Sequence, residues 1–175
     1  MIKDTPQKYG AVSRFLHWLM AFMVLAQFLK FGDRINDGEH WVGALVKSIH
    51  GSFGVIFMAL VILRIVWALA QRDRPPYQGA LAVLARLGHW ALYACMVLMP
   101  LSGILRGVGK GRAVKVFGVE VWPASGVETP WMIAVGQWHS PVAWTLLVLV
   151  LGHVAMGVYH HVVQRDGTLA RMTSG

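Results

Sequence analysis

Four long apolar runs constrain this chain more than any other feature. They are Phe15 to Gly32, about Val42 to Ala70, Leu81 to Gly107, and Trp138 to Val163. Crossing about 30 Å of hydrocarbon takes roughly 20 mostly apolar residues in a helix. Inside lipid, only helices and closed barrels satisfy their own backbone polar groups. The pattern therefore predicts four transmembrane helices. The first run carries His17 and Lys30, and no small-residue cleavage site follows it, so it reads as a retained helix rather than a signal peptide. Composition agrees. Of 175 residues, 56% are hydrophobic and 14% charged, against about 25% charged in an ordinary soluble domain. The length suits one domain over residues 1–175. A net charge of +8 would point to nucleic acid in a soluble chain, but the apolar runs assign it to a membrane, with lipid and not nucleic acid as the surrounding partner. Cys95 is the single cysteine, which excludes an internal disulfide and any cysteine-based zinc or iron–sulfur site.

The connections sharpen the architecture. Arg72-Asp73-Arg74-Pro75-Pro76 ends the second helix, because proline cannot continue it. The 33–40 connection is short and polar. Residues Val108 to Gln137 form a stretch too long to be structureless in a compact domain. Within it, Thr129-Pro130 reads as an N-cap followed by proline at the first helical position. The fourth helix is thus expected to run from about Pro130 to Val163, with a kink near Gln137 caused by Pro141. Val114 to Val121 alternates weakly and predicts a short extended cap. The expected fold is an all-α integral membrane four-helix bundle.

Four helices place both termini on one side. That side carries Lys3, Lys8, Arg14, Arg72, Arg74, Arg86, Arg165 and Arg171. The other carries Lys30, Arg34, Lys47, Arg106, Lys110, Arg112 and Lys115. The slight excess puts the termini in the cytoplasm. Four cations, Arg106, Lys110, Arg112 and Lys115, cluster on the outer side, where they would either meet headgroups or attract a small anion.

Histidine carries the chemistry. Ionisable residues in membrane helices are costly and tend to be functional. His139 and His153 are fourteen residues apart, which leaves both rings on one helix face, about 21 Å apart along the axis. Two groups so placed suit two haems stacked across a four-helix bundle, each iron taking one histidine from this helix and one from another. Topology sets His50 at the level of His139, on the outer side. His17 and His89 both lie at the level of His153, on the inner side, and spacing does not choose between them. Gly51, Ser52, Gly54, Gly88, Gly152 and Gly157 sit beside these histidines. They would admit a flat macrocycle, or simply let helices pack.

The segments SRFLHW (13–18), KSIHGSFG (47–54), LGHWALY (87–93), WHSPVAW (138–144) and LGHVAMGVYHHVVQRDGTLARM (151–172) together resemble the bacterial cytochrome b561 family, in order and over nearly the whole chain. The resemblance implies four transmembrane helices in a bacterial inner membrane and two b-type haems. It implies His17 with His153 on the inner haem iron, and His50 with His139 on the outer. His89 then becomes a histidine without a ligand role, available to a haem propionate. Some members that this sequence resembles oxidise superoxide at the outer surface and reduce ubiquinone in the membrane. A superoxide:ubiquinone oxidoreductase is accordingly the expected activity, with the cluster Arg106, Lys110, Arg112 and Lys115 steering superoxide. The alternative is a passive cytochrome b subunit that anchors a soluble dehydrogenase or hydrogenase.

Two further groups of residues fit that frame. Arg64 lies fourteen residues after His50, on the same face and about 21 Å further along, at the inner level. It and Arg14 are candidates to hold haem propionates, against the plainer reading of arginines snorkelling at helix ends. His160 follows His153 by seven residues and falls close to the same face. With Arg72, Arg74 and Tyr77 it is the candidate quinone site, since imidazole exchanges protons near neutral pH; the plainer reading is an interfacial histidine among headgroups.

Overall fold

Glycine at position 10 starts the first helix four residues earlier than the apolar run does. The structure is a computed structural model describing residues 1–30, 41–73, 75–76 and 81–173, the side chains of 42–44 and 48 excepted. Helix α1 spans Ala11–Phe28. Ahead of it the N-terminus folds back on itself. Oδ1 of the buried Asp4 accepts the Gly10 N–H at 2.8 Å, and the Ala11 N–H donates to the Met1 carbonyl at 3.0 Å. A Cβ on Gly10 would collide with the Ile2 and Lys3 backbone, so this crossing requires glycine. The Asp4 N–H donates to Gln71 Oε1 at 3.1 Å, tying the N-terminus to the end of the second helix.

Helix α2 spans Trp41–Ala70 and α3 spans Ala82–Gly109. After α3 comes an antiparallel hairpin, β1 (Val114–Val116) and β2 (Val119–Trp122). Its turn has positive φ at Phe117 and Gly118, 47° and 88°, the backbone that two-residue hairpin turns demand. Helix α4 is short, Pro130–Gly136, with proline at its start as the Thr129-Pro130 pair predicts. Helix α5 spans His139–Tyr159, a π-helical turn His160–Gln164 extends it, and α6 (Ala170–Thr173) closes the tail.

The fourth apolar segment is thus one span, Pro130–Gln164, interrupted at Gln137 and Trp138, where the kink was expected, and so divided into α4 and α5. In a continuous helix the Pro141 ring would strike the carbonyl of Gln137. Breaking at Gln137 and Trp138 and restarting at His139 puts Pro141 in a first turn, where its missing N–H costs nothing. Among the described residues, four helical spans are long and apolar enough to cross a membrane: Ala11–Phe28, Ile49–Ala70, Ala82–Gly109 and Pro130–Gln164. Their outer faces expose Phe22, Leu25, Leu63, Val66, Leu87, Val148 and Leu151, as lipid-facing surfaces do.

Packing among the helices is uneven. Helix α1 packs on α2, α2 on α3, and α3 on both α4 and α5. By contrast, few backbone positions of α5 come close to α1 or α2 among the described residues, and α5 meets them through side chains such as Val150. The α3–α4 contact is tight because Gly109 and Gly136 lie in it: a Cβ at 136 would strike Arg106, and one at 109 would sit 2.7 Å from Met132 Cβ. The buried apolar cluster is Met20, Met23, Val24, Phe57 and Val61, with Met96, Val97 and Val150 against it. By position along the helices it lies between the two levels of histidine.

Candidate functional site

Both gaps beside α5 are bridged by histidine. At the outer level His50 of α2 and His139 of α5 face each other, ring centroids 5.9 Å apart. At the inner level His17 of α1 faces His153 of α5 at 6.1 Å, and His89 of α3 approaches the same His153 ring at 5.2 Å. The spacing of His139 and His153 thus does place both rings toward neighbouring helices, one at each level.

The outer pair is built with care. The helix break makes His139 the first residue of α5. Its Nδ1 lies 2.9 Å from the Met99 carbonyl and 3.3 Å from Ser102 Oγ. A carbonyl only accepts, so Nδ1 carries the proton and Nε2 keeps its lone pair. Gly103 makes room for the ring: a Cβ there would lie 2.9 Å from His139 Cε1. The Nδ1 of His50 is buried without a hydrogen-bond partner.

These two histidines line a cavity of about 1150 Å³. Gly51, Gly54 and Gly107 also line it, and a Cβ on any of the three would meet nothing within 4 Å. They keep space open at the histidines and do not press helices together. All four expected cations, Arg106, Lys110, Arg112 and Lys115, line the cavity, and Lys30 and Lys47 join them. No carboxylate does, among the described residues. Sequence reasoning missed Lys30 and Lys47 as site residues, although Lys47 stands three residues before His50 and so shares its helix face.

The hairpin closes this end. Ser52, two residues past His50, accepts the Phe117 N–H at 2.9 Å and donates to the Lys115 carbonyl at 3.5 Å. The Phe53 and Phe117 rings meet edge to face at 6.0 Å. The expected extended cap is therefore latched onto α2 beside His50, and the latch positions Lys115.

At the inner level Arg64 reaches the histidines from α2, as its spacing from His50 predicts. Its Nε donates to Tyr93 Oη at 3.0 Å and its Nη2 lies 3.5 Å from His17 Nδ1. Its Nη1 is buried and unpartnered, and so is Nε of Arg14. His89 Nδ1 bonds to the Ala85 carbonyl one turn back, at 2.7 Å. Tyr93 was not among the residues that spacing singled out; it sits one turn beyond His89, which was the available signal.

Past the inner level, His160 Nδ1 lies 2.6 Å from Asp166 Oδ2. Two hydrogen bonds from Thr168, aided by His160, hold the Asp166 carboxyl below its usual 3.8, at about 2. Arg72 is exposed at the end of α2 and makes no hydrogen bond to His160 among the described residues. Arg74 and Tyr77, the other expected quinone residues, lie outside the described residues, as does Arg34.

Among the described residues no group of three His, Cys, Asp or Glu side chains gathers to hold a bare metal ion. Paired histidines flanking open, glycine-lined space instead match a ligand that brings its own in-plane donors. Comparison with known proteins agrees. Residues 8–175 match the family described as prokaryotic cytochrome b561. The chain belongs to the prokaryotic cytochrome b561 family. It is 30% identical to "Cytochrome b561 homolog 2" of Escherichia coli (strain K12), over 97% of this chain and 93% of that one. It is 27% identical to "Probable superoxide oxidase CybB" of Yersinia pestis, over 95% and 96%. It is 23% identical to "Cytochrome b561 homolog 1" of Escherichia coli (strain K12), over 94% and 96%. As a prokaryotic cytochrome b561, the chain is a multi-pass membrane protein of electron transfer, in a family that binds b-type haem.

Proposed function

We propose that this cytochrome b561 holds two b haems, takes electrons from superoxide at its outer end and gives them to ubiquinone at its inner end. The observation that carries the reading is the two histidine pairs, 5.9 and 6.1 Å apart, each reaching from α5 to a different helix, α2 or α1. Two imidazoles on opposite sides of one metal, with bonds of about 2 Å, hold their centroids about 6.3 Å apart. His50 with His139 and His17 with His153 fit that separation. His89 also approaches His153, at 5.2 Å, and is tied to the Ala85 carbonyl of its own helix; His17 is the proposed inner ligand, with His89 beside the propionates. Haem held by these histidines would supply one-electron redox chemistry.

The chain's own residues do the rest. The cations lining the outer cavity attract a small anion and raise its encounter rate. Arg64 Nη1 and Arg14 Nε, buried without partners, are donors for propionate carboxylates, with His89 beside them. Across the reaction, two superoxide anions lose one electron each to become oxygen, and one ubiquinone gains two electrons and two protons to become quinol. His160 is the residue proposed to handle protons at that end, with Arg72, Arg74 and Tyr77 as further candidates for the quinone site. The name borne by the Yersinia pestis relative supports superoxide as donor. The reading sets the protein in a bacterial inner membrane with its termini in the cytoplasm.

The test counts haems first. The purified protein should show two b haems per chain. His139→Ala and His153→Ala should each retain about one, and His89→Gln should retain two. Superoxide should then reduce the haems and ubiquinone should reoxidise them. Two haems that ignore superoxide but accept electrons from a co-purifying soluble dehydrogenase would replace this reading with that of an anchor subunit.

A further inference from the structure

The C-terminal turn builds a histidine arrangement separate from the two pairs at α5. His160 opens the π-helical turn His160–Gln164. Arg165, with a left-handed φ of 50°, reverses the chain and brings Asp166 back to His160. The carboxylate is then held at both oxygens: Oδ1 accepts the Thr168 N–H at 2.9 Å and Oδ2 takes His160 Nδ1 at 2.6 Å. With its carboxyl held at about 2, Asp166 is ionised at neutral pH and only accepts. The proton of this bond therefore belongs to Nδ1, which leaves Nε2 as the ring atom free to gain and lose a proton. The His160 and Asp166 side chains are 19% and 37% exposed, so water reaches the pair. His160 follows His153 by seven residues, about 10 Å further along nearly the same face.

We infer that Asp166 is a positioning residue for proton delivery: it holds His160 in the Nδ1–H form, so that Nε2 is the atom that takes a proton from water and passes it to a quinone oxygen. This rests on the reading that ubiquinone is reduced at the inner end. The balance is simple. Each transfer breaks an Nε2–H bond of the protonated ring and forms one O–H bond on the quinone. Two such transfers accompany the two electrons that two superoxide anions supply. Between them the ring regains its proton from inner-side water. Asp166 stays ionised throughout and takes no proton itself.

The carboxylate has a structural task as well, since Oδ1 shapes the turn at Thr168. Asp166→Asn separates the two tasks. Asparagine keeps an Oδ1 for the Thr168 N–H and loses the negative charge facing His160. The experiment uses the haem-loaded protein in lipid nanodiscs, a superoxide source and a short-chain ubiquinone. Haem content, haem reduction by superoxide, and the kcat and KM of quinone-driven reoxidation are read for each variant. Asp166→Asn should keep both haems and the quinone KM while kcat falls about tenfold, the lower end of what loss of an orienting partner costs. Asp166→Glu should restore most of the rate, and His160→Asn should be at least as slow as Asp166→Asn. In the 15N spectrum of labelled histidine, His160 should change from one Nδ1–H tautomer to a mixture in Asp166→Asn.

Wild-type kcat in Asp166→Asn beside a slow His160→Asn would overturn the positioning role and leave the quinone reading standing. Wild-type kcat in both would overturn the two together. Equal slowing in the asparagine and glutamate variants, with the His160 tautomer unchanged, would make Asp166 a structural residue only.

Discussion

Gly103 shows how narrowly the outer histidine is placed. In a helix, glycine to alanine normally gains about 1 kcal/mol from propensity. Here the added methyl would lie 2.9 Å from the His139 ring, and overpacking of that kind costs about 1–3 kcal/mol. The larger effect wins, so Gly103→Ala is expected to displace the ring and to lower outer haem occupancy. The reduced spectrum should show close to one haem in place of two, with helix content unchanged. Asp166 offers a prediction of opposite character. Its folded pKa of about 2 lies below its ordinary 3.8. The stabilisation it gives the tail turn is therefore complete above about pH 4 and lost as pH falls through about 2. Trp18 reports this, because its indole N–H donates to the Met172 carbonyl in the tail. Its fluorescence should stay constant down to pH 4 and change between about pH 4 and 2.

The helix break at Gln137 and Trp138 decides where α5 begins, and Pro141 forces it. Pro141→Ala removes the ring clash and the missing donor, a penalty of about 3 kcal/mol on a continuous helix. The 130–164 segment is then free to join, which turns His139 away from Met99 and Ser102. On the two-haem reading proposed above, loss of the haem at His139 with retention of the one at His153 is the expected outcome, and the spectrum reads it directly. At this level the sequence was legible wherever periodicity or proline spoke. The four apolar runs, the Thr129-Pro130 start and the weak alternation at Val114 to Val121 all correspond to elements observed. The start of α1 was not legible from apolarity, because Ala11 to Arg14 belong to the helix through the folded-back N-terminus. The kink expected near Gln137 falls at Gln137 and Trp138 within the span Pro130–Gln164; what proline spacing did not give is that the helical hydrogen bonding is interrupted there.

Across the whole molecule, charge is distributed by end. The outer cavity gathers six basic side chains and, among the described residues, no acid. Converting Lys110, Arg112 and Lys115 to glutamine should slow superoxide-driven haem reduction by about tenfold at low salt and flatten its ionic-strength dependence. Stopped-flow traces at several salt concentrations check it, and an unchanged salt slope would remove the steering role. The paired histidines were legible because a helix repeats by simple geometry, so fourteen residues keep one face. The Ser52 latch, Tyr93 and Asp166 were not, because each acts through a partner that only tertiary folding brings near. Topology sets His17 and His89 at one level, and the structure brings both to His153, at 6.1 and 5.2 Å; the proposal of His17 as ligand comes from the family resemblance.

Helix α5 carries one histidine of each pair, yet its backbone leans chiefly on α3 and meets α1 and α2 through side chains such as Val150. On the reading proposed above, the macrocycles are the mortar on that flank. A newly made chain short of cofactor would have one wall of its bundle unbraced, with polar imidazoles turned toward an opening at bilayer depth. Cofactor supply would then govern how long each copy survives surveillance by membrane proteases, so the abundance of this cytochrome should follow a cell's capacity to make haem even when its own transcription is constant.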